Sequence, residues 1–264
     1  MIRPTMDSFS QLANILKELD GPEFDHIFWE PIADDEEAKI EFDKHIKTID
    51  ESQNWPVSLN WKKGKVLEDF TVFLFSRFQD VNVNVNKRPG DNETDIETIL
   101  SEKAQPPFML QTIGPRIICE CKNKKTTSID VGMVTKLAEL IPRRGSKFGV
   151  FISIKGMGGY AWRYGEGKRK KIMYSTQLPI ISFTVDELRV LRNGSNFYTM
   201  IREKYYSLVD EVDDETADIP NQQHYEYSKR LNEMIEHFRK CNLMVDEEAV
   251  AIKQRLISKY GPLE

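Results

Sequence analysis

Arg116-Ile117-Ile118-Cys119-Glu120-Cys121-Lys122-Asn123 reads as a buried strand closed by a Glu-x-Lys pair. Side chains alternate across a strand, so Glu120 and Lys122 project from one face and Cys119 and Cys121 from the other. A carboxylate and an ammonium at the end of an apolar strand are costly to desolvate unless they serve a purpose. A second acidic position, Asp95, lies upstream in Asn92-Glu93-Thr94-Asp95-Ile96-Glu97. An acid followed some two dozen residues later by Glu-x-Lys outlines a metal-dependent phosphodiesterase site.

Phosphodiester hydrolysis requires charge neutralisation at the phosphoryl oxygens and a deprotonated water, and one or two Mg²⁺ ions supply both. Mg²⁺ takes hard oxygen ligands and keeps places for water and phosphate. Asp95 and Glu120 fit that need, with the backbone carbonyl of Cys121 completing the metal edge and Mn²⁺ as a substitute ion. Lys122 is placed to act on the attacking water or on the developing charge. Glu97 shares the face of Asp95 and is a further candidate ligand.

The elements that must position these groups follow from periodicity. Residues 9–19 form a helix capped by Ser8, and Asp34-Asp35-Glu36-Glu37 opens a second. Residues 64–78 form an amphipathic helix through Val66, Leu67, Phe70, Phe73, Leu74 and Phe78. Residues 81–86 alternate strictly and form a strand, Pro89-Gly90-Asp91-Asn92 turns, and residues 94–100 form a second strand. A short strand is expected at 108–110 and the central strand at 117–122. A helix over 128–141, capped by Ser128, precedes an apolar strand at 148–154. Gly165-Glu166-Gly167-Lys168-Arg169-Lys170-Lys171 reads as a glycine-flexed basic loop. Another strand at 178–183 and a short helix at 186–191 follow. Residues 210–218 read as an acidic linker, and 225–241 and 246–260 as a closing helical hairpin. The fold class is α/β, a mixed β-sheet core flanked by helices. Three parts are expected: an acidic helical segment over 1–55, the core domain over 56–200, and the linker with the C-terminal hairpin over 201–264.

The 264 residues are 40% hydrophobic, enough for one substantial core. No apolar run reaches the length of a membrane span and the N-terminus lacks a signal-peptide core, so a cytoplasmic setting without membrane is expected. Three cysteines make neither a disulfide framework nor a zinc site. The net charge of −5 conceals a segregation: residues 116–171 hold 14 Lys/Arg against 4 Asp/Glu, a net +10, which leaves −15 elsewhere. A basic middle between acidic ends fits a phosphate-binding core with acidic appendages.

Gly64-Lys65-Val66-Leu67-Glu68 opening a helix, then Asp91-Asn92-Glu93-Thr94-Asp95, then Glu120-Cys121-Lys122-Asn123, resemble the PD-(D/E)xK nuclease superfamily, in particular its Mrr-type, restriction-endonuclease-like branch. The resemblance covers about half the chain, residues 63–191. It implies a restriction-endonuclease-like fold with helical N- and C-terminal appendages and Mg²⁺-dependent cleavage of DNA. It also implies a homodimer and a role in bacterial defence or repair. In this pattern Glu68 joins the metal site, directly or through water. Thr94 stands where the family name has proline, and no family glutamine is evident. Lys136 on the following helix is the positional candidate for a phosphate contact. Lys124, Lys125, Arg143, Arg144, Lys168, Arg169 and Lys170 are further candidates for the DNA backbone.

Two other readings compete. A nuclease fold can serve as a catalytically silent DNA-docking or dimerisation subunit. A ribonuclease could use Arg230 and His237, seven apart on one helix. The acidic helical ends are candidate surfaces for a protein partner, with Phe28 and Trp29 either anchoring it or packing on the core.

Overall fold

The computed structural model describes residues 10, 11, 14, 24–87, 94–100, 106–213 and 226–260. The first expected helix, over 9–19, and the turn at Pro89–Asn92 lie largely or wholly outside them. Helix α1 (Glu36–Ser52) starts at Asp35, whose carboxylate accepts the Ala38 N–H at 3.1 Å. Helix α2 (Asn60–Ser76) buries Leu67, Phe70, Phe73, Leu74 and Phe75. That face is wide because α2 lies between α1 and the sheet.

The sheet contains β1 (Asn82–Lys87), β2 (Thr94–Ile99), β3 (Arg116–Lys122), β4 (Phe148–Ser153) and β5 (Ile180–Thr184), in that spatial order. The pairs β1–β2 and β2–β3 are antiparallel; β3–β4 and β4–β5 are parallel. Parallel neighbours require crossovers, and these are α3 (Val131–Arg143) and α4 (Tyr164–Thr176). The cap of α3 is Asp130, which accepts the Met133 N–H at 2.9 Å, rather than Ser128. Gly149 lets α3 lie close on β4: a Cβ there would stand 2.5 Å from Ile141 Cδ1.

Two cores sandwich the sheet. Ile117 and Cys119 of β3, Val150 and Ile152 of β4 and Ile181 and Phe183 of β5 face α1, α2 and the long helix α5 (Phe197–Asp213). Ile118, Phe151 and Ile180 face Val134, Leu137 and Ile141 of α3 and Ile172 of α4. The first core does not break near residues 55 or 200. Phe42, Ile46 and Ile49 of α1 and Phe197, Tyr198, Ile201 and Leu208 of α5 belong to it. Phe28 and Trp29 are buried there as well, with Trp29 Nε1 donating to the Leu74 carbonyl at 2.9 Å.

Two local expectations change. The stretch 108–110 is not a strand: Met109–Ile113 is a π-helical turn whose Met109 and Ile113 are buried. The glycine-rich basic stretch is not a loop but the first half of α4. Gly167 is required there because a Cβ would meet the Trp162 carbonyl oxygen at 1.9 Å. At the C-terminus, α6 (Tyr227–Lys240) and α7 (Asp246–Tyr260) form the expected hairpin. Glu226 Oε1 ties it to the core by accepting the Gly159 N–H at 2.9 Å.

Candidate active site

The β2–β3 ladder pairs Ile96 with Cys119 and Glu97 with Ile118, so one step on Asp95 stands across from Glu120. Opposite residues of an antiparallel pair share a face. Asp95 and Glu120 therefore emerge together on the α3 side, at the end of the sheet where β2 and β3 part. Asp95 Oδ2 accepts the Cys121 N–H at 2.8 Å. The N–H and C=O of one strand residue point to the same edge, so the Cys121 carbonyl also faces Asp95. Lys122 follows Glu120 on the same face, about 7 Å along the strand. Among the described residues it has no ion-pair partner.

Glu120 carries the electrostatic tension of the site. Its Oε2 lies 3.5 Å from Lys136 Nζ of α3, while its Oε1 is buried without a hydrogen-bond partner. Burial, and after it the negative charge of Asp95, push the Glu120 carboxyl up to about 7, against the opposing pull of Lys136. Two acids on neighbouring strands, one with an orphaned buried oxygen, form an all-oxygen donor set suited to a hard divalent cation. Among the described residues no three His, Cys, Asp or Glu side chains gather into a metal-holding cluster. Two carboxylates, one carbonyl and water are nevertheless an ordinary set for Mg²⁺.

The other expected residues distribute as follows. Glu68 lies on α2, with Lys65 Nζ at 3.8 Å from its carboxylate. One turn on, Thr71 Oγ1 touches Cys121 Sγ at 3.3 Å. Glu97 is fully buried and held by Arg116 at 2.9 Å and by Arg144, so its carboxylate is committed to the fold. Arg144 is thereby turned inward, while Arg143 is exposed at the end of α3. Lys124 and Lys125 are exposed in the turn after β3. Lys168 lies on α4 and is half-buried. Arg169 pairs with Glu166 and Glu211, and the buried Lys170 with Glu211 at 3.2 Å. Arg230 is buried against Glu226 and Glu233, whereas His237 is exposed beside Cys241, so the two do not form one site.

The motif includes Asn123, but pattern reading gave it no structural role. Its Nδ2 donates to the Lys63 carbonyl at 2.6 Å and to Ser52 Oγ at 3.2 Å, and its Oδ1 accepts from Gln53 Nε2 at 2.6 Å. It fixes the residue after Lys122 to the end of α1 and the start of α2. Only the three-dimensional pairing, across 60 to 71 positions, reveals this role.

Residues 63–179 match the family described as restriction endonuclease, the Mrr catalytic domain. With the five-stranded mixed sheet flanked by helices, this is consistent with the Mrr-type, restriction-endonuclease-like branch of the PD-(D/E)xK nucleases. No curated protein and no solved structure matches the chain. No helix among the described residues is long and apolar enough to cross a membrane.

Proposed function

We propose that this protein is a Mg²⁺-dependent endodeoxyribonuclease that hydrolyses DNA phosphodiester bonds, with a restriction-like role in defence or repair. The observation that carries this reading is the placement of Asp95, Glu120 and Lys122 on one face where β2 and β3 part, with one Glu120 oxygen buried and unpartnered. Asp95, Glu120 and the Cys121 carbonyl would hold the ion, with Glu68 joining them directly or through water. When bound, such an ion supplies Lewis acidity to a phosphoryl oxygen and lowers the pKa of water. Lys122 donates hydrogen bonds that orient the attacking water and stabilise charge growing on the phosphoryl oxygens. Asp95 holds the Cys121 backbone, so the two carboxylates keep their spacing while substrate binds. Lys136 balances Glu120 in the ion-free protein and is freed toward phosphate when Glu120 turns to a cation. The products are a 5′-phosphate and a 3′-hydroxyl.

The test is cleavage of supercoiled and linear DNA with Mg²⁺, Mn²⁺ or EDTA, comparing the wild type with Lys122→Ala. Nicking that needs the ion and disappears in the variant supports the reading. Equal nicking by the variant, or nicking in EDTA, overturns it. Tight DNA binding without cleavage under any condition identifies the docking subunit instead.

A further inference from the structure

The loop that leaves β4, residues 154–163, runs beside the end of β3, the strand that carries Glu120 and Lys122. Lys122 pairs with Ser153 in the parallel ladder, and the Ile154 N–H donates to the Lys122 carbonyl at 3.2 Å. Ile129, in the segment that follows Lys122, donates its N–H to the Gly156 carbonyl at 2.9 Å and accepts the Gly158 N–H at 2.8 Å. The loop therefore holds the chain on which Lys122 sits at two points. It is itself strained. Gly156, Gly159, Ala161 and Tyr164 have φ of +84°, +99°, +53° and +52°. Glycine enters the left-handed region freely, but Ala161 and the bulky Tyr164 do so at a cost. Such conformations persist only where the surrounding structure over-determines them.

The C-terminal hairpin supplies that support. Glu226, buried at the start of α6, accepts the Gly159 N–H at 2.9 Å. Arg230, one turn on and also buried, pairs with Glu226 at 3.5 Å and with Glu233 at 2.6 Å. Its guanidinium lies 5.6 Å from the centre of the Tyr164 ring, and the Lys229 ammonium lies 5.2 Å from it. Glu233 also reaches Arg163 at 3.8 Å. Buried ion pairs add little to stability, and their best-attested use is to fix register. Here they fix α6 on the strained residues. We infer that Glu226, steadied by Arg230, is a positioning residue for the reaction: it holds the loop after β4 in its strained form, which fixes the end of β3 and with it the place of Lys122. The inference rests on the nuclease reading above and brings into it a part of the chain outside residues 63–179. With α6 undocked the loop relaxes, and Lys122 loses its fixed orientation while the surface that meets DNA stays.

The experiment pairs amide hydrogen exchange of the full chain, in EDTA and without DNA, with steady-state cleavage of DNA in Mg²⁺. It compares the wild type with Glu226→Ala, Glu226→Gln and the control Glu236→Ala, whose carboxylate meets Arg239 and Lys253 within the hairpin. In Glu226→Ala, exchange over residues 117–130 and 154–164 should quicken about tenfold while β5 keeps its protection. Its kcat should fall about tenfold or more with KM within about twofold of wild type, because orientation is lost and binding is not. Glu226→Gln keeps an oxygen for the Gly159 N–H and should return both readings close to wild type, and the control should match it. Faster exchange confined to the hairpin, or spread evenly over every strand, overturns the inference. A Glu226→Gln variant as impaired as Glu226→Ala does so too, as does a loss that falls on KM. Because exchange is read without ion or DNA, a wild type that never cleaves fails the nuclease reading alone. A nuclease whose Glu226→Ala variant exchanges and turns over like the wild type fails this inference alone.

Discussion

Asp95 on β2 grips the backbone N–H of Cys121 on β3 at 2.8 Å, so the first acid and the Glu-x-Lys strand are one rigid unit. Asp95→Asn retains an acceptor for that N–H and should keep the fold, yet it removes one of the two charges available to a cation. The expected outcome is a loss of cleavage of at least about a hundredfold with an unchanged melting temperature. Asp95→Ala should lose cleavage as well and melt lower, by about 1 kcal/mol of unfolding free energy, because a backbone donor is left unpaired. Plasmid nicking and urea denaturation of both variants separate the two effects.

Glu120 gives the protein a pH dependence of definite sign. In the unfolded chain this carboxyl titrates at the ordinary value of 4.5, and in the folded chain at about 7. Between those values the folded state binds more protons, so this residue's contribution makes stability fall as pH rises, then level off above about 7. The full loss is bounded at about 3 kcal/mol. Glu120→Gln should remove that slope, becoming more stable than wild type at pH 8 and comparable to it at pH 5. Mg²⁺ should recover stability in the wild type at pH 8 and not in the variant. Parallel stability profiles for the two proteins would refute the assignment.

Lys136 competes with any cation for Glu120. Its ammonium lies 3.5 Å from the carboxylate and its side chain is more than half exposed, which limits the worth of the pair to about 1 kcal/mol or less. At pH 8.5, where Glu120 is ionised, Lys136→Met should tighten Mg²⁺ binding about two- to fivefold by calorimetry. If Lys136 also meets phosphate, the same variant should weaken DNA affinity. Unaltered Mg²⁺ affinity would mean that the pair opens without competition.

Asn123 should matter more for stability than an amide one residue past a strand usually does. Asn123→Ala removes three hydrogen bonds that tie the end of β3 to α1 and α2 and leaves Ser52 and Gln53 without their amide partner. The expected cost is about 2–3 kcal/mol in urea unfolding. Cleavage by the folded fraction should also slow, because Lys122 loses the clamp on its neighbour. A surface-like cost below about 0.5 kcal/mol would show that the network is dispensable.

The strand carrying Glu120 and Lys122 could be read directly because period-two alternation and an apolar run coincide there. Its pairing with Asp95 follows from one register. Helix α5 escaped because the acidic stretch after Asp210 dominated the local reading. The spacing of Phe197, Ile201, Tyr205 and Leu208 was nevertheless helical and is buried against the sheet. The basic residues of α4 misled for a different reason. Arg169 and Lys170 meet Glu211, about 40 positions away, and Arg144 meets Glu97 across 47, so composition alone could not tell a committed charge from an available one. A charge pattern reports how many cations a segment holds; only the fold reports how many remain for a ligand.

The larger core extends well past the segment that matches the restriction-endonuclease family. Close to half of its buried side chains, from Phe28 to Ile49 and from Ile181 to Leu208, lie outside residues 63–179. The matched segment is therefore not a cassette. Transplanted alone into a new host chain it would bring an apolar core without the side chains of α1 and α5 that complete it, and an Asn123 amide without Ser52 or Gln53 to meet. A fragment meant to fold by itself must therefore carry α1 and α5 along, since they complete the same core as the strands that hold Asp95 and Glu120.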